Sequence, residues 1–146
     1  MAAACGVYSR RSTPRVVRAV IVVVAAVIER EGRVLIGQRK AIGDHALKWE
    51  FPGGKVEPDE TPQAALVREL REELAIRAQI GAEITRYEYQ YPGRSRILLI
   101  FYRVTDFAGE PRNLDFAQLE WAPRERLRDY DFLEGDTDFI RGYDAG

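Results

Sequence analysis

The sequence has almost none of the residues from which many metal and redox sites are built. Its one cysteine, Cys5, excludes an internal disulfide framework, which fits a reducing compartment and a cytoplasmic location, and equally a secreted protein without disulfides. His45 is the one histidine and stands far along the chain from Cys5, so there is no Cys/His cluster for zinc. Neither charge dominates: 22 Lys and Arg face 23 Asp and Glu, giving a net charge of -1. That balance excludes an overall basic surface for duplex nucleic acid or for an anionic membrane. No apolar run is long enough to cross a bilayer. There is also no internal repeat, no low-complexity tract and no linker, and 146 residues suit one ordinary domain.

The amino-terminal stretch MAAACGVYSRRSTPRVVR, residues 1–18, is basic and lacks periodicity, so it is read as a flexible arm. Its arginines at 10, 11, 15 and 18 precede the apolar run AVIVVVAAVI at 19–28, which mimics a signal peptide. The Val/Ile richness of that run instead suits a strand buried on both faces. A hairpin partner, RVLIGQR, follows after EREG. We therefore expect no targeting segment and a single domain over 19–143.

The remaining pattern interleaves strands and helices. Strands are expected at 19–28 and 33–39, with a turn at Glu31-Gly32 and a short extended piece at 47–51. Gly53 and Gly54 are expected to break regular structure. Thr61-Pro62 reads as an N-cap followed by proline at the first helical position, opening a helix that runs to about Leu74. Two longer strands near 79–91 and 96–107 flank a turn at Pro92-Gly93, and a short strand sits near 117–122. Pro123 starts a brief helical turn, and a last helix covers about 136–143. The class is α/β or α+β with a mixed sheet.

The chemistry gathers on the first helix, in RELREEL. On a helical wheel Leu66, Val67, Leu70 and Leu74 form a buried stripe. Glu69, Glu72 and Glu73 occupy the neighbouring sector, related as i, i+3 and i+4, with Glu73 next to the apolar stripe. Arg68 and Arg71 lie elsewhere on the wheel and reach only the rim. Carboxylates crowded beside a low-dielectric surface are costly unless a cation sits among them, and oxygen ligands suit Mg²⁺ or Mn²⁺. A solvated Glu/Arg helix face is the bland alternative for such a segment taken alone.

The wider spacing decides between them. Gly54-x5-Glu60-x7-Arg68-Glu69-Leu70-x-Glu72-Glu73 resembles the signature of the Nudix hydrolases. Six fixed positions of this kind match by chance on the order of 10⁻⁷ per starting point. The longer segment WEFPGGKVEPDETPQAALVRELREEL is similar to the MutT and CTP pyrophosphohydrolase branch. One position departs: Ala75 stands where the family usually has a glycine that caps the helix in the left-handed conformation.

The resemblance implies an α/β/α sandwich and a hydrolase that attacks a diphosphate with water. It implies that Glu69, Glu72 and Glu73, with the Gly53 carbonyl, bind Mg²⁺ or Mn²⁺, and that Glu60 and Arg68 orient this set. Either Glu72 or Glu73 would handle the proton of the attacking water. Asp115, in GEPRNLDFAQLEW, is the candidate for an added ligand or base, against an ordinary turn-capping role. Arg39 matches a phosphate-contacting arginine. Phe51 and Tyr91 are candidates for a base pocket or for core, and Arg94 for a phosphate contact or plain loop charge. Asp136 either reads the base, where a carboxylate accepts from an exocyclic amine, or N-caps the last helix. The implied activity is Mg²⁺-dependent conversion of a nucleoside triphosphate to its monophosphate and pyrophosphate, in sanitation of modified nucleotides. Hydrolysis of dinucleoside polyphosphates or nucleotide sugars, and a non-catalytic nucleotide-binding domain, are the alternatives. The implied partner is a nucleotide, and the family also admits a homodimer.

Overall fold

A strand rich in Val, Ile and Ala is buried on both faces, and here one such strand organises the molecule. The computed structural model describes residues 20–145. The expected arm at 1–18 and residue 19 of the first expected strand lie outside the described residues. Strand β1 spans Ile21–Arg30. Its even-numbered Val24, Ala26 and Ile28 pack in one core with Leu66, Leu70, Leu74, Ile100 and Tyr102. Its odd-numbered Ala25 and Val27 pack in a second core with Phe51, Leu99, Phe101, Phe139, Ile140 and Tyr143. The period of two therefore feeds two cores from one strand, and the result is the expected sandwich of helices about a mixed sheet. Each fully buried Val, Leu or Ile contributes about 1.5–3 kcal/mol to holding it.

β1 runs parallel to β7 (Arg96–Val104), which pairs antiparallel with β6 (Glu83–Gln90). The other edge of β1 is divided. β2 (Arg33–Gln38) pairs with it only at Glu29 and Arg30, through the Glu31-Gly32 turn, where both residues have positive φ. β4 (Gly53–Lys55) takes Val23, Val24 and Ala25 of the same edge. β2 thus peels away from β1 and pairs instead with β3 (Trp49–Glu50) and β9 (Gln118–Pro123). The parting of β2 from β1 leaves the space in which the site lies.

Helix α1 (Pro62–Leu74) begins as the sequence predicts: Thr61 Oγ1 accepts from the Ala64 N–H at 3.1 Å, with Pro62 at the first helical position. Its buried residues are Ala65, Leu66, Leu70 and Leu74, so Ala65 replaces Val67 in the expected stripe. The helix ends at Ala75 in the left-handed conformation (φ 59°, ψ 33°), whose N–H bonds the Arg71 carbonyl. The chain therefore keeps the geometry of a glycine cap without the glycine.

Other boundaries differ from expectation. Gly53 and Gly54 lie inside β4 and do not break it. At Gly53, with φ +155°, a Cβ would stand 2.0 Å from the Val24 carbonyl oxygen, so the glycine permits the close strand pairing. The expected strand 79–91 is two strands, β5 (Arg77–Gln79) and β6, parted at Gly81, whose N–H bonds the Arg103 carbonyl. The expected strand 96–107 likewise divides into β7 and β8 (Asp106–Ala108), and β5 and β8 form a separate two-stranded sheet. The piece at 47–51 shortens to β3 because Leu47 has positive φ. After β9 come a 3₁₀ turn at Arg124–Asp129, a second at Glu134–Asp136 and helix α2 (Thr137–Ala145). Among the described residues no helix is long and apolar enough to cross a membrane.

Candidate active site

The opening between β1 and β2 is a cleft of about 290 Å³. Val23, Val24 and Ala25 of β1 form one wall, and Gly53, Gly54 and Lys55 of β4 continue it. Into this one cleft the fold brings Arg39, Phe51, Gly53, Glu73, Tyr91, Asp115 and Asp136. These are seven of the residues singled out from sequence, drawn from positions nearly a hundred residues apart.

One end of the cleft is acidic. Glu73 Oε1 accepts from the Gly53 N–H at 3.1 Å. Burial, then the nearby Glu50 and Glu69 carboxylates, pushes Glu73 up to about 9, against the opposing Gly53 bond. Glu69 is also raised, first by burial and opposed by Arg68. It lies tight against the glycine pair: a Cβ on Gly54 would meet Glu69 Oε2 at 2.4 Å. Glu72 sits at the rim, with its side chain 58% exposed.

Arg68 reaches further than the wheel suggests. Its Nε and Nη2 fork onto Glu60 at 2.7 and 2.9 Å, while Nη1 donates to Glu69 at 3.1 Å and to Glu72 at 3.4 Å. A further bond ties Nη2 to the Lys55 carbonyl. The guanidinium thus joins the loop before α1 to its glutamates, and the Arg68 hydrogen bonds hold the Glu60 carboxyl down at about 2.

The donor set fits a hard divalent cation, because it offers oxygens and two of its carboxyls are raised, first by burial and then by neighbouring carboxylates. Among the described residues, however, no group of three or more His, Cys, Asp or Glu side chains is arranged to hold a metal ion. Arg68 explains this. It draws Glu69 and Glu72 to itself, while Glu73 turns to the Gly53 N–H.

The middle of the cleft holds a residue that sequence reasoning missed. Glu50 Oε1 accepts from Arg39 Nη1 at 3.1 Å. Burial raises the Glu50 carboxyl, opposed by Arg39. A strand-end glutamate two residues before Pro52 gives little sign of this, since its burial comes from elements remote in sequence. Arg39 also donates through Nε to the Asp44 carbonyl at 3.1 Å. Asp115 lines the cleft near Glu50 and Glu73. Turn capping in its loop falls to Asn113, whose Oδ1 accepts from the Phe116 N–H at 2.8 Å. Arg94 pairs with Asp44 at 2.9 Å.

The other end is aromatic. Phe51 is buried against Phe101, Phe132 and Phe139, so it is at once core and cleft floor. Tyr91 packs its ring 4.7 Å from His45. Asp136 precedes α2, but the residue is only 5% exposed and its carboxyl receives the Phe51 backbone N–H. Burial and the Glu50 charge raise it to about 8.

A family model, the NUDIX domain, matches residues 17–143. The chain belongs to the Nudix family. It is a Nudix hydrolase, and such hydrolases generally use a divalent metal. It is 42% identical over 125 residues to the CTP pyrophosphohydrolase of Escherichia coli, covering 86% of this chain and 92% of that one. It is 38% identical over 109 residues to the 8-oxo-dGTP diphosphatase of Haemophilus influenzae, covering 74% and 79%. Among solved structures it is similar to the E. coli ORF135 protein, with a TM-score of 0.78, 42% identity and coverage of 86% and 89%. It is also similar to a MutT Nudix hydrolase from Burkholderia pseudomallei, with a TM-score of 0.77, 26% identity and coverage of 84% and 97%.

Proposed function

We propose that this Nudix hydrolase, acting through a single domain over 19–143, converts nucleoside triphosphates to monophosphates and pyrophosphate and favours modified nucleotides. The supporting observation is the polarity of one cleft: buried carboxyls at one end, buried aromatics and a lone acid at the other. Relatives named CTP pyrophosphohydrolase and 8-oxo-dGTP diphosphatase support the substrate class. Nucleotide-pool sanitation sets the work in the cytoplasm. The assembly, monomer or homodimer, is read by light scattering.

In this reading Glu69, Glu72, Glu73 and the Gly53 carbonyl would hold Mg²⁺ or Mn²⁺, which would supply charge neutralisation for the polyphosphate. Either Glu72 or Glu73 takes the proton of the attacking water. Asp115 faces the same space and adds a ligand or base. Arg68 holds Glu69 and Glu72 from behind. Arg39 exchanges its Glu50 partner for phosphate. The base rests on Phe51 beside Tyr91, with Asp136 at its edge.

An ionised Asp136 accepts from an exocyclic amine such as N4 of cytosine. Its carboxyl, raised to about 8, is also protonated near neutrality and so donates to a carbonyl. That second capacity favours oxidised purines as alternative substrates. Pyrophosphate release from CTP, 5-substituted cytidine triphosphates and 8-oxo-dGTP tests the reading. Turnover of none of these triphosphates sinks the substrate class, even if another diphosphate is cleaved.

A further inference from the structure

Three tyrosines, Tyr87, Tyr89 and Tyr91, alternate along β6 and its end, so they share one face. Two of them grip the peptide groups on either side of one residue, Gly135. Tyr91 Oη accepts from the Gly135 N–H at 2.8 Å. Tyr87 Oη donates to the Gly135 carbonyl at 2.6 Å and accepts from the Phe139 N–H at 3.2 Å. Tyr87 thus also ties the Glu134–Asp136 turn to α2. Gly135 is nearly in contact with this clamp, since a Cβ there would stand 2.8 Å from Tyr91 Oη. The next residue is Asp136, whose carboxyl enters the cleft.

We propose that Tyr87 and Tyr91 are positioning residues that hold the peptides on both sides of Gly135 and thereby fix where Asp136 meets the nucleotide base. This rests on the reading of Asp136 as a base contact. The physical reason is the length of the lever. A turn of three residues has no core of its own, so its register is set by what bonds its backbone. The two hydroxyls satisfy one polar group of each peptide flanking the Gly135 Cα, which limits rotation about both of its backbone bonds. Neither hydroxyl has to touch substrate. The ring of Tyr87 stacks on Phe101 at 5.7 Å, and that of Tyr91 packs on His45, so each ring stays anchored when its hydroxyl is removed.

The test uses Tyr87→Phe, with kcat and KM measured at pH 9, where the Asp136 carboxyl is ionised, for CTP and for UTP, which lacks the exocyclic amine. The expected result is a rise in KM for CTP of about five- to tenfold, with KM for UTP and both kcat values within about twofold. In an Asp136→Asn background the Tyr87→Phe change should add under about twofold. Equal losses for both nucleotides, or full additivity with Asp136→Asn, overturn the proposal.

A second readout does not depend on substrate. The ¹³C resonance of the Asp136 carboxyl should move in Tyr87→Phe and in Tyr91→Phe, and Gly135 amide exchange should quicken about tenfold in Tyr91→Phe. Gly135→Ala should impair the wild type and be better tolerated with Tyr91→Phe, where the opposing oxygen is gone. An unmoved Asp136 resonance overturns the clamp whatever the kinetics. If the wild-type protein does not distinguish CTP from UTP, the amine-reading assignment fails, and the resonance alone decides the clamp.

Discussion

Glu73→Gln separates the cost of burying a carboxyl from its use. Glutamine keeps the shape and keeps an oxygen for the Gly53 N–H, so packing is conserved. The folded protein holds the Glu73 proton up to about 9, whereas the unfolded chain releases it near 4.5. Between those values folding takes up a proton, so stability from this group is fully present below 4.5 and is lost as pH rises toward 9. At pH 7 the full handicap is 2.5 units at about 1.4 kcal/mol each; discounted for partial exposure it is about 1–3 kcal/mol. Glutamine has no such handicap. In EDTA at pH 7 the variant should therefore melt about 3–10 °C higher than wild type, at roughly 0.3 kcal/mol per degree for this chain length. Its melting temperature should also fall less steeply with pH across 5–9. Asp136 titrates in the same sense in both proteins, so the difference between them isolates Glu73. Adding Mg²⁺ should reverse the order, since only the wild type gains from the ion, and turnover by the variant should drop about 10² or more. A metal-free variant that melts lower than wild type, with an unchanged pH slope, refutes the claim that burial of charge shapes this site.

Ala75→Gly relieves the left-handed alanine at the end of α1. It should stabilise the protein by about 0.5–1 kcal/mol in urea unfolding, the cap relief being offset in part by a freer unfolded chain. Arg68→Ala removes the fork on Glu60 and the brace on Glu69, so Glu60 should return toward ordinary carboxylate behaviour by NMR titration and Mg²⁺ affinity should weaken about tenfold or more. Arg39→Ala frees Glu50, and its effect should fall on KM for triphosphates with kcat within about threefold. Gly37→Ala places a methyl 2.5 Å from the Phe116 ring and should cost about 1–3 kcal/mol by thermal melting, with the Glu73 end untouched.

The parts of the fold legible in the sequence are those fixed by local chemistry. Thr61-Pro62 marks the start of α1 because a cap is a bond within three residues. The apolar run in β1 marks a central strand because both faces are covered. The joints were not legible. Gly53 reads as a breaker because glycine weakens most strands, yet here the missing Cβ lets β4 approach Val24. The breaks at Gly81 and Thr105 arise where one sheet hands over to another, which no local pattern encodes. In the site, the carboxylates of RELREEL were visible from their spacing. Glu50 was not, since its burial and its pairing with Arg39 depend on β3 lying beside β2. The tyrosine clamp shows as alternation along β6, but its target, Gly135, lies more than forty residues away.

β1 works as a ruler. Val24 faces the helix that carries the glutamates, and Ala25, one step along at about 3.3 Å, faces the side that carries Asp136. Both halves are bolted to the same rigid rod, so neither slides to suit a longer or shorter ligand. Selectivity among nucleotides has to be tuned by loops and turns at the far end of the rod, and a mutation there can change which base is read without moving the phosphate end.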